Sequence, residues 1–229
     1  MTGHTAHRDE QRRALRLTLP VLCGYVFLGT AFGATLAQAG FGPAWALMIS
    51  TLVYAGSLQF VMVPLMAAGA SLLTVALTAL MVNARHLFYG VSFIDRFRRM
   101  GRLRPYMIFS LTDETYSVYC SIPGEESDGV MLRVALYDQL YWIAGSLLGS
   151  VLAQQLPFDL TGIDFCMTAL FVTIFIDQWE TARTHTPALA GFCVAVLALA
   201  IFGANGFMLP ALLATSGILV FAGRKEAQA

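Results

Sequence analysis

Asn83, Arg85 and His86 stand side by side at the end of an apolar run that begins near Ala70. Hydrocarbon cannot solvate a guanidinium, and an arginine at mid-depth in a bilayer costs about 2.5–3.5 kcal/mol on insertion scales. Such a residue normally faces a bundle interior or a wet cavity and finds a partner there. An amide, a guanidinium and an imidazole so close together therefore point to a polar site. The competing reading has Arg85 snorkel to an interface and His86 sit satisfied between helices. A second polar set follows Pro105. Ser110, Asp113, Glu114 and Ser117 fall on one helical face at i, i+3, i+4 and i+7. Neighbouring carboxylates there can carry a proton, face water, or pair with Arg85 or with nearby arginines. Salt bridging is the favoured reading. Gln59, in Tyr54-Ala-Gly-Ser-Leu-Gln59-Phe60, can serve packing through one interhelical hydrogen bond or offer its amide to a ligand.

The elements that must position these groups are membrane helices. The chain has 229 residues, 57% hydrophobic and 12% charged, against roughly 25% charged in soluble domains. Its apolar residues come in long blocks without strand-period alternation, and ~20 such residues span a hydrocarbon core. The expected fold is therefore an all-α integral membrane protein, a polytopic helical bundle. Residues 1–14 form a basic N-terminus, 15–222 a single transmembrane domain and 223–229 a tail. The run 15–39 ends in Ala37-Gln38-Ala39 and mimics a signal peptide, but its length and its Pro20, Gly24, Gly29 and Gly33 favour a retained first segment.

Tyr25-x-x-x-Gly29-x-x-x-Gly33-x-x-Leu36-Ala37-Gln38 matches Tyr141-x-x-x-Gly145-x-x-x-Gly149-x-x-Leu152-Ala153-Gln154 without a gap. Both copies carry Gly-x-x-x-Gly, which permits close helix approach. Further apolar segments follow near 44–66 and 70–93, then near 161–180 and 187–203, with a last one near 206–222. The expected plan is two related three-helix units, 15–93 and 134–203, joined by a basic loop 95–105 and a short helix 106–120. It is read as an inverted repeat with a ligand held where the halves meet.

Arg8, Arg12, Arg13 and Arg16 crowd the N-terminus, and Arg96, Arg98, Arg99, Arg102 and Arg104 crowd one loop. Both clusters ask for the cytoplasmic side, yet three apolar segments lie between them. The Gly-rich segment 20–39 is the one expected to be broken or re-entrant, since unwound backbone is tolerated where it lines a cavity. The clusters flank spans, so nucleic-acid binding is not expected. Cys23, Cys120, Cys166 and Cys193 form no CxxC pair and read as small buried hydrophobes. Asp138, Asp164 and Asp177 are placed at or just within segment edges. No metal or cofactor ligand spacing is found, and no phosphate-binding Gly-rich loop.

The Gly29-Thr-Ala-Phe-Gly33 segment, Tyr54–Phe60, Ala67-Ala-Gly-Ala-Ser71-Leu, Asn83-Ala-Arg85-His86-Leu-Phe-Tyr89-Gly90 and Leu111-Thr-Asp113-Glu114 together resemble the AzlC family. That family supplies the larger subunit of bacterial branched-chain amino-acid exporters. The likeness covers roughly residues 15–120; beyond that it rests on hydropathy and length. It implies export of valine, leucine, isoleucine or similar amino acids across a bacterial cytoplasmic membrane, with a small partner subunit of the AzlD type. With no nucleotide motif, an ion gradient is the expected energy source, and Asp113, Glu114 or His86 the expected proton sites.

The working site has broken helix ends at Gly29 and Gly33 facing a zwitterion. Gln59 and Asn83 orient it, Phe60 and Leu87 hold its aliphatic chain, and Arg85 meets either its carboxylate or Asp113. An intramembrane enzyme using His86 with Asp113 or Glu114 lacks a recognisable nucleophile motif, so no catalysis is expected. A permease for a different small solute and a non-transporting scaffold subunit are the alternatives.

Overall fold

The computed structural model describes residues 2–122, 126–155 and 184–203, with scattered positions between 172 and 218. Among the described residues every regular element is helical: α1 (Thr2–Gln38), α2 (Pro43–Leu52), α3 (Gly56–Ala67), α4 (Leu72–Ser92), α5 (Ile94–Arg99), α6 (Arg104–Phe109), α7 (Asp113–Ser121), α8 (Asp128–Gln155) and α9 (Thr186–Phe202). The expected segments 161–180 and 206–222, the tail 223–229, Cys166, Asp164 and Asp177 lie largely or wholly outside the described residues.

Segment 20–39 is not broken. It belongs to one continuous helix that runs through Pro20, and His7–Gln38 is long and apolar enough to cross a membrane. Gly29 and Gly33 make a seam instead. A Cβ on Gly29 would stand 3.0 Å from the Ser146 nitrogen, and one on Gly33 would collide with the Ser146 carbonyl. In return, a Cβ on Gly145 would stand 2.8 Å from the Val26 carbonyl, and one on Gly149 would collide with that of Thr30. Thr30 and Ser146 occupy equivalent places in the two matching stretches. Each copy thus meets the other through the same positions, and only hydrogen at these Cα atoms lets the backbones approach so closely.

The two copies run parallel. Glu10 pairs with Arg133 at 2.7 Å, Gly29 abuts Ser146, and Gly42 lies beside Gln154. The expectation of an inverted repeat fails for this pair of helices, because both ascend from the same end.

The interruptions fall elsewhere. The expected single segment 44–66 is two helices of 10 and 12 residues. They part at Tyr54, whose φ of +42° no helix interior adopts. α2 descends along α8, from Gly42 beside Gln154 to the Thr51 carbonyl, which accepts from Gln139 at 3.2 Å. α3 then turns back, since its first turn lies against Arg85 through Ser57 and a short link leads from its far end into α4. At ~1.5 Å rise per residue each arm is only about half of a ~30 Å hydrocarbon layer.

The expected helix 106–120 is likewise two, α6 and α7, parting at Ser110–Thr112. Tyr106 donates to Gln139. α7 returns along α8 in the opposite sense, Thr115 bonding Asp138 and Tyr119 bonding the Met131 carbonyl. Two half-length hairpins therefore approach from opposite ends, and their tips touch where the Tyr54 and Phe109 rings lie 6.1 Å apart.

α4 runs past both tips, its halves Leu72–Leu80 and Arg85–Ser92 bent by 44° to each other. At its foot Arg96 bridges Asp128 at 2.8 Å and donates to the Glu126 carbonyl, while Arg13 bridges Glu126 at 3.1 Å. The N-terminal and loop arginines therefore share one end of the bundle. These partly exposed pairs fix that arrangement more than they stabilise it, at ~0–1 kcal/mol each. Cys23, Cys120 and Cys193, expected to be small buried hydrophobes, are instead exposed.

Candidate functional site

Where the tips meet, they enclose a polar chamber with α1, α4 and α8. Its walls are Tyr25 and Leu28 of α1, Tyr54, Gly56 and Ser57 of the first tip, and Arg85 and His86 of α4. Thr112, Asp113 and Glu114 of the second tip and Trp142 of α8 complete it. The volume is about 20 Å³, the scale of a single water.

Arg85 is the brace. Its Nη2 lies 2.7 Å from Asp113 Oδ2 and donates to Ser57 Oγ at 2.6 Å, so one guanidinium ties both tips to α4. Both charged side chains are mostly buried, 22% and 15% exposed. Tyr89, one turn along α4 from Arg85, donates to the other oxygen of Asp113 at 2.6 Å. The His86 ring sits edge-on to Tyr89, 5.5 Å between centroids, with Nδ1 3.3 Å from the Asn83 carbonyl. Among the described residues Glu114 forms no ion pair with an arginine. It accepts from Tyr25 at 2.7 Å, and Tyr25 also meets Thr112 Oγ1 at 2.6 Å.

The local sequence explains the tips. Thr112 caps α7 by accepting from the Thr115 N–H, and acidic residues in the first turn suit the positive end of a helix. α3 begins differently. Ala55 provides no side-chain cap, and Gln59, fully buried, reaches back to accept from the Ala55 N–H at 3.2 Å and from the Trp142 indole at 2.9 Å. Gly56 lies against that indole, where a Cβ would stand 3.2 Å from the ring.

Of the residues singled out by sequence, the structure brings together Arg85, His86, Asp113 and Glu114. Gln59 instead pins the first tip from behind. Asn83 is outside the chamber, as are Phe60, packed on Phe32 at 5.8 Å, and the exposed Leu87. Gly29 and Gly33 present no broken ends, because they serve the α1–α8 seam. Sequence reasoning missed Tyr25, Tyr54, Ser57, Thr112 and Trp142. Ser57 and Thr112 were within reach, Thr112 beside Asp113 and Ser57 two residues from Gln59; the aromatic walls carry no local signal.

A larger cavity of about 280 Å³ adjoins the chamber and shares Tyr25, Leu28 and Glu114 with it. Leu17, Pro20, Val21 and Val118 make its walls mainly aliphatic. Among the described residues no three His, Cys, Asp or Glu side chains come together as metal ligands would.

The family model described as "AzlC protein" matches residues 20–156. The chain is 38% identical to "Branched-chain amino acid transport protein AzlC" of Bacillus subtilis, over 91% of this chain and 83% of the relative. It is 39% identical to an uncharacterised membrane protein of Helicobacter pylori strain J99, over 85% and 87%. It is 29% identical to "Inner membrane protein YgaZ" of Escherichia coli K12, over 76% of each. No solved structure matches the chain.

Proposed function

The chain belongs to the AzlC protein family, whose relatives are named as membrane and transport proteins, and on that premise we propose that it exports branched-chain amino acids. The proposal extends to an ion gradient as driving force, a small AzlD-type partner subunit, and the basic end of the bundle as its cytoplasmic face. The observation that carries it is the chamber between two half-length hairpins, where irregular backbone and an ion pair are tolerated because they line a cavity.

The chemistry of the chamber suits a zwitterion. The uncapped start of α3 offers the positive end of a helix to a carboxylate. Glu114, with no arginine ion pair among the described residues, offers an acceptor to an ammonium. The aliphatic cavity beyond Glu114 suits a branched side chain. A chamber of about 20 Å³ is too small for any amino acid, so loading requires the tips to part. Arg85 contributes by holding Asp113 and Ser57 in register rather than as the carboxylate's first contact.

The test is efflux from cells that lack their own exporters, loaded with a leucine-containing dipeptide. The chain is expressed alone and together with its small membrane partner. Accelerated leucine, valine or isoleucine efflux, abolished by an uncoupler, supports the reading. Unchanged efflux with both chains in the membrane sinks it in favour of another solute or a scaffold role. Efflux that ignores the uncoupler removes the ion gradient alone.

A further inference from the structure

Asp138 sits on α8 with its side chain fully buried, and one of its oxygens, Oδ1, is enclosed without a hydrogen-bond partner among the described residues. It lies outside the chamber lining. Its other oxygen accepts from Thr115 at 2.9 Å. From there hydrogen bonds continue without a gap: Thr115 to Thr112 at 3.2 Å, Thr112 to Tyr25 at 2.6 Å, and Tyr25 to Glu114 at 2.7 Å. One end of this chain lines the chamber; the other is sealed in the protein. Three elements build it, α1, α8 and the second hairpin.

Hydrogen counting gives the chain a property that no single link has. Its three hydroxyls carry three hydrogens for four links. Two ionised carboxylates can only accept, so one link then has no hydrogen. One added proton fills all four links in either of two ways. On Glu114, every hydroxyl donates toward Asp138; on Asp138, every hydroxyl donates toward Glu114. Passing from one arrangement to the other moves one hydrogen across each link and leaves the hydroxyls intact, so one proton is gained at one end and lost at the other. The unpartnered Oδ1 agrees with a neutral acid at the sealed end, because an uncompensated buried carboxylate charge is far costlier than an unpaired neutral oxygen.

We propose that Asp138 is a proton-binding site joined to the transport chamber by the relay Thr115–Thr112–Tyr25–Glu114. Tyr54, Tyr106 and Tyr119, on the first tip, α6 and α7, are the other titratable groups within electrostatic reach of Asp138, and among the described residues no Lys or Arg takes part in the relay. Glu114 has Asp113 and Arg85 beside it, and these two neutralise each other. The relay rests on the transport reading in one respect: it is what would let proton movement accompany substrate movement.

Two measurements on the full chain separate the relay from that reading. The first is infrared spectroscopy of the purified protein in lipid at neutral pH, before and after exchange into D2O. The wild type is expected to show a protonated-carboxyl C=O band. Asp138→Asn should lose it, because the amide N–H supplies the missing hydrogen to Thr115. A band retained at full intensity in Asp138→Asn, or absent from the wild type, overturns the site whether or not the protein transports leucine. The second uses vesicles with the partner subunit and an internal pH dye. Leucine counterflow, which needs no net proton movement, is expected to persist in Asp138→Asn and Thr115→Val, while leucine-induced proton flux falls at least tenfold. Wild-type proton flux in either variant overturns the relay. Absence of counterflow in the wild type speaks against the substrate, and the infrared result then stands alone.

Discussion

The α2–α3 tip turns at Tyr54 and leaves the next helix without a side-chain cap, whereas the α6–α7 tip turns into Thr112, which caps its helix, and adds Asp113 and Glu114. Both tips do the same mechanical task. Each ends a half-length arm deep in the bundle and exposes the N-terminal end of a returning helix, equivalent to roughly half a positive charge. On the second tip that end is already answered by its own acids. On the first it is left for something else, with Ser57 and the Arg85 guanidinium beside it. Pairing an answered helix end with an unanswered one gives a small chamber two electrostatic faces.

The largest effect on this arrangement comes from removing the group that touches both tips. Arg85→Ala strands Asp113, partly buried, without its cation, and loss of one partner of a buried pair costs about 3–5 kcal/mol. Thermal unfolding in detergent should show a large drop, and Arg85→Ala with Asp113→Ala should recover part of it. If Arg85→Ala unfolds like the wild type and only transport falls, the guanidinium belongs to the substrate instead. Thr112→Ala comes next. It removes the α7 cap, worth about 1 kcal/mol, and also cuts the hydroxyl relay, so stability should fall modestly while proton flux falls steeply. Ala55→Ser is the smallest change and the sharpest contrast. It gives the first tip the cap it lacks, stabilising α3 by about 0.5–1 kcal/mol while occupying the end proposed for a carboxylate. The half-saturating leucine concentration should rise although the melting temperature does not fall. A cap that leaves transport untouched would remove the α3 end from the site.

The helices and the doubled glycine stretch were legible in the sequence because their signals are local and periodic. Gly29, Gly33, Gly145 and Gly149 announce a close contact, but spacing alone does not say that the partner is the other copy. Arg85, His86, Asp113 and Glu114 were legible because charge in an apolar run is costly wherever it sits. The breaks were not. Val53-Tyr54-Ala55 interrupts an apolar run that reads as one span, and the glycine and proline that usually punctuate helices sit in the unbroken α1 instead. Asp138 was misplaced for a similar reason. It reads as a residue at or just within a segment edge, yet α8 begins ten residues earlier, and its hydrogen-bond partner, Thr115, comes from the preceding helix, α7.

The claim on which the rest depends is that α2 and α3 enter and leave the bundle at the same end, opposite the arginines. Single cysteines at Ala44 and Ala68, at the two hairpin feet, and at Arg102 in the basic loop test it in a background with Cys23, Cys120, Cys166 and Cys193 changed to serine. A membrane-impermeant thiol reagent is applied to intact cells and to inside-out vesicles. Ala44→Cys and Ala68→Cys should both react in intact cells, and Arg102→Cys only in the vesicles. Ala44→Cys and Ala68→Cys reacting from opposite faces would make α2–α3 a crossing rather than a hairpin and would dissolve the chamber built on its tip.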